Sequence, residues 1–138
     1  MSGNDLQALG EAKLEALVEA MFLAASGDGE FSPVERAHFL KSVESLTDGR
    51  LPTARLAKLV AEAGEALERD GREARLLSVK HRLPDAGSRR VALSLAIQVT
   101  AADGIIRTSE RELIFETAEA LEIDRNEAAN LVSTLSRK

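Results

Sequence analysis

The 138-residue chain has no cysteine, no tryptophan and no tyrosine, and its only aromatic residues are four phenylalanines. Without cysteine there is no disulfide framework, no zinc–thiolate site and no cysteine nucleophile. So few rings on a chain of net charge −5 also exclude a dedicated nucleic-acid binder, which needs a basic face and stacking aromatics. No apolar run approaches the roughly eighteen residues that span a bilayer. The start, Met1 to Asp5, lacks a basic region leading into an apolar one, and Glu11, Glu15 and Glu19 interrupt the apolar positions after it. A cytoplasmic protein without a transmembrane segment is expected, with peripheral membrane association through a partner left open. Strand signals are missing too: no period-two run of β-branched residues flanks an Asn-Gly or Asp-Gly turn.

What is present is helical periodicity. Hydrophobic residues at 44% and charged residues at 30% are ordinary for a globular chain, and no linker divides it, so residues 1–138 are expected to form one domain. Leu6, Leu9, Leu14, Leu17, Val18, Met21, Phe22 and Ala25 recur at three- and four-residue steps, which predicts an amphipathic first helix with its glutamates outside. A second helix is predicted from Pro33, carrying Val34, Phe39, Leu40 and Val43. Leu51-Pro52-Thr53 opens a third, and a fourth, Arg72 to about Arg82, is predicted to bury Leu76, Leu77 and Val79. Asp85 or Ser88 caps a fifth, in which Val91 to Ala102 is apolar or small on nearly every side, the mark of an enclosed helix. A sixth starts near Thr108, and Asp124 caps a seventh. The expected fold is all-α, a compact bundle of about seven helices with two pseudo-repeated helix–turn–helix units around a buried central helix.

The repeat lies in two turns. Asp28-Gly29 and Asp103-Gly104 each end an apolar helix, and each is answered seven residues after the aspartate by Glu35-Arg36 and Glu110-Arg111, at a constant offset of 75 residues. Both read Asp-Gly-x-apolar-x-x-x-Glu-Arg, the back half of an EF-hand loop. The front half fails, since Ala24 and Val99 stand where the first carboxylate is needed. Two readings remain open. In the first, the turns are punctuation: Ser32-Pro33-Val34-Glu35 is a capping box, although Arg107 replaces the capping serine in the second copy. In the second, the copies pack about a pseudo-twofold axis, and Asp28, Glu35, Asp103 and Glu110 converge on a hard cation. No cofactor is otherwise required; a divalent cation is the one these carboxylates suit. Glu35 and His38 have the one-turn spacing of di-iron bundles, but Leu113 replaces the second histidine and the pair stands alone. Nucleophilic catalysis and metal-assisted hydrolysis have no constellation to support them.

Charge divides unevenly. Residues 71–90 carry six bases against two acids, whereas residues 1–70 carry 13 acids against 7 bases. Arg72, Arg75, Lys80, Arg82, Arg89 and Arg90 therefore form a basic island, read either as a solvated helix face or as a docking surface for an acidic protein or anionic head group.

Together these residues resemble the TerB-like family, which takes in the tellurite-resistance TerB proteins and the N-terminal domain of a membrane-anchored DnaJ-type co-chaperone. Ala25 to Arg36 and Ala101 to Arg111 carry the likeness, with Arg89-Arg90-Val91-Ala92-Leu93 and Leu95-Ala96 resembling the family's middle helix; it covers roughly Leu14 to Leu121. Ser26-Gly27 lengthens the first turn relative to the usual Ala-Ala-Asp-Gly. The resemblance implies a non-enzymatic all-α domain tied to bacterial stress responses, with Asp28, Glu35, Asp103 and Glu110 as metal ligands and a protein partner. The alternative is a metal-free scaffold that docks an anionic or protein partner through residues 72–90.

Overall fold

The computed structural model describes residues 11–25, 33–47, 51–101 and 108–135. Among them are seven helices and no strand: α1 (Glu11–Ala25), α2 (Pro33–Leu46), α3 (Thr53–Asp70), α4 (Arg72–Arg82), α5 (Ala86–Thr100), α6 (Thr108–Ala120) and α7 (Arg125–Leu135). Helix boundaries reflect local chemistry. Asp85 caps α5 by accepting the Ser88 amide at 2.9 Å, and Asp124 accepts the amides of Asn126 and Glu127 at the start of α7. Gly71 both closes α3 and opens α4 at φ +86°, a conformation that penalises any side chain, and donates its amide to the Leu67 carbonyl. At the end of α6, Glu122 takes φ +61° while its amide and that of Ile123 donate to the carbonyls of Glu119 and Ala118. This is a Schellman turn with glutamate in the position that glycine usually fills.

Helix α5 lies in two cores at once. Its Ala92, Leu95 and Val99 join the larger cluster with α1, α3 and α4, while Leu93 and Ile97, on another face, pack with Ile114, Ala118, Ala128 and Val132 of α6 and α7. That double contact explains its narrow polar strip, which is reduced to Arg90, Ser94 and Gln98. The buried threonines 47, 100 and 117 return their hydroxyls to carbonyls four residues earlier, so they cost little inside.

Helix α1 departs from expectation. It is not amphipathic with its glutamates outside: everything from Ala16 to Ala24 is buried, Glu19 included. Each large side chain enclosed there, such as Leu17, Met21 and Phe22, contributes roughly 1.5–3 kcal/mol, and Phe22 meets Phe39 of α2 edge to face at 6.3 Å. Two further side chains lie outside where the pattern predicts them inside. Val34 is 67% exposed on a stripe shared with His38, Lys41 and Ser45, and Leu77 is 49% exposed on a stripe with Glu73 and His81. Both stripes obey helical period; the pattern simply cannot say which face meets the neighbours.

Candidate functional site

The relation between the two Asp-Gly turns begins at the opposite ends of the helices that precede them. Lys13, near the start of α1, donates to Asp85 at 2.8 Å and reaches Ser88, near the start of α5, at 3.4 Å. Lys13 and Ser88 are themselves 75 residues apart, the offset of the repeat. The α1–α5 contact is the most extensive in the bundle, so the two helices run side by side in the same direction. From Lys13 to Ala25 and from Ser88 to Thr100 is the same number of residues, a rise of about 18 Å along each. The chain therefore leaves α1 and α5 at one end of the pair. The next helices also cross over: α2 packs on α5, and α6 packs on α1.

Of the four proposed ligands, Glu110 lies in the first turn of α6 and is half-buried. Glu35 lies in the first turn of α2, its side chain outside the described residues; Asp28 and Asp103 are outside them altogether, as is Ser32 of the capping box. Among the described residues no group of three or more histidines, aspartates or glutamates could hold a metal ion. His38 is exposed on α2.

All six members of the basic island are engaged within the chain. Arg75 and Arg82 both bind Glu19, and Arg75 also reaches Asp70 at 3.1 Å. Arg72 binds Glu116, Lys80 and Arg89 share Glu122, and Arg90 meets Glu127. Six cations thus face five carboxylates, and only Arg90 is exposed. Pairing of this kind leaves the segment close to neutral. Lys80, then Arg89, holds the Glu122 carboxyl below the usual carboxylate range, and Arg69, then Arg75, does the same for Asp70. The Lys13 ammonium, together with the Ser88 amide and hydroxyl, holds Asp85 far below it.

Two features are not evident from the sequence. One is Glu19 as a buried ion-pair centre, whose only signal is the seven-residue spacing that sets Arg75 and Arg82 on one face of α4. The other is a groove of about 740 Å³ between α4, α6 and the start of α7, lined by the half-buried Phe115, the buried Leu76 and four glutamates. The Arg125 guanidinium lies 4.5 Å from the Phe115 ring centroid.

A model of the tellurite resistance protein TerB family matches residues 15–132. The chain belongs to the TerB family. The match takes in α7 as well as the two turns, beyond the stretch that the motifs alone carry. No curated protein and no solved structure matches the chain. Like the TerB family it belongs to, the protein is not an enzyme. No helix among the described residues is long and apolar enough to cross a membrane.

Proposed function

We propose that this TerB-family protein is a cytoplasmic stress-response module that binds one hard divalent cation between its duplicated turns, through Asp28, Glu35, Asp103 and Glu110, and so fixes a surface for a protein partner. What supports the reading is the shared direction of α1 and α5, tied at their starts by Lys13, together with the crossed packing of α2 on α5 and α6 on α1. Side-by-side helices of equal length finish at one end of the pair, and each succeeding helix packs on the other half. Four carboxylates and no imidazole or thiolate form an oxygen-only set, which favours Ca²⁺, Mg²⁺ or Mn²⁺ over Zn²⁺.

Thermal unfolding after chelation, with subsequent titration of each cation, tests this. A cation that binds only the folded state at a hundred times its Kd adds about 2.7 kcal/mol, a rise of about 8 °C for a chain of this size. The rise is expected with Ca²⁺ or Mn²⁺ and is lost in Asp103→Asn with Glu110→Gln. An unchanged midpoint with every cation, or a shift that survives the double substitution, would refute the site.

A further inference from the structure

Unpaired carboxylates gather around one groove of the surface, beside a half-buried aromatic ring. In the groove between α4 and α6, the carboxylates of Glu73, Glu112 and Glu119 make no ion pair or hydrogen bond among the described residues, and that of Glu116 is engaged by Arg72. Glu112, Glu116 and Glu119 succeed one another at four- and three-residue steps, so they form a single stripe along α6, with Glu73 facing them from α4. Four carboxylates line the groove against two guanidinium groups, those of Arg111 and Arg125. Among them the half-buried Phe115 supplies the apolar surface, backed by Leu76, which is itself buried in the main core. Both kinds of wall already accept a guanidinium from elsewhere in the chain: Arg72 on Glu116, and Arg125 over the Phe115 ring.

We propose that this groove docks a basic amphipathic segment of a partner protein, its apolar side chain resting on Phe115 and its lysines or arginines meeting Glu73, Glu112 and Glu119. Complementary charge decides the class of occupant. An anionic lipid surface or nucleic acid is repelled by the glutamate stripe, whereas a cationic segment is steered toward it. Arg111, the remaining cation at the groove, sets the direction in which such a segment lies. The partner's sign is thus the reverse of the one that the basic island invites, because that island is neutralised from within.

The test uses the full chain with chelator present, so that it is independent of any cation site. Three synthetic helix-forming peptides are titrated: one with leucines on one face and lysine and arginine on the other, one with the leucines replaced by serine, and one with the basic residues replaced by glutamate. The first is expected to bind, with amide shifts confined to α4, α6 and the start of α7. Serine replacement weakens it at least about tenfold, as loss of a buried leucine requires. Glu112→Lys with Glu119→Lys, both exposed, weakens it by a similar factor through charge reversal, and raised salt does so as well. No binding, equal binding of the acidic or serine peptide, or shifts that map elsewhere would overturn the proposal. Because the serine peptide leaves the protein unaltered, a double variant that fails to fold does not remove the test.

Discussion

Glu19 is the one charged residue among the described residues that is buried. Its carboxylate is 7% exposed and faces two guanidinium groups, with Arg75 at 2.7 and 3.0 Å, and Glu19 in turn raises the Arg75 pKa. Removing one partner of such a group leaves the others charged and poorly solvated. Glu19→Ala is expected to cost about 3 kcal/mol in urea unfolding, near the lower end for buried pairs because Arg82 is 34% exposed and can rehydrate. Exposed pairs such as Arg90–Glu127 contribute between about 0 and 1 kcal/mol each, and Arg90→Ala should leave the unfolding midpoint almost unchanged. A pairwise cycle between Glu19 and Arg75 separates their coupling from packing loss.

At the scale of the element, two helix ends carry measurable chemistry. Asp85 begins α5 with its carboxylate bonded to Lys13 and to the amide and hydroxyl of Ser88, and its pKa is depressed in the folded state. A depressed carboxylate stabilises the fold above its unfolded pKa and loses that contribution as pH falls toward the folded one. Asparagine caps a helix nearly as well but does not titrate. Asp85→Asn is therefore expected to be less stable than the parent at neutral pH, with the gap narrowing as pH falls from about 5 to 2; a gap in thermal midpoint that stays constant across that range would contradict the pairing.

At the other end, Glu122 holds a left-handed backbone and also binds Lys80 and Arg89. Glu122→Ala loses the pairs and keeps the strain, whereas Glu122→Gly loses the pairs and relieves it. Glycine should thus be more stable than alanine by about 1 kcal/mol in chemical denaturation. Equal stability of the two variants would show that the turn relaxes.

Helix periodicity, capping residues and glycine punctuation make the elements legible in the sequence, because these are local causes. Thr53, Arg72 and Thr108 open α3, α4 and α6 as the pattern predicts, and Asp85 and Asp124 cap α5 and α7. What the pattern cannot reveal is which faces meet. Glu19 looks like a solvent residue until α4 brings two arginines over it, and Leu77 looks like a core residue until the neighbours prove to lie on the side of Leu76 and Val79. The basic island has the same explanation: its charge is plain in the chain, and its neutralisation by Glu19, Glu116, Glu122 and Glu127 is a tertiary fact. The family likeness is legible because its motifs are contiguous, and the matched span of 15–132 extends it through most of α7.

For the whole molecule, the central proposal is that two halves which repeat at a constant offset share one ligand rather than each holding its own. Stability measurements detect binding, but stoichiometry distinguishes sharing from duplication. The direct measurement is calorimetric titration of the chelator-treated chain with Ca²⁺ and, separately, Mn²⁺, repeated on Asp28→Asn and on Asp103→Asn. One cation per chain, with either single substitution weakening it, is the predicted result; two cations per chain, none, or a site that only one of the substitutions affects would contradict it.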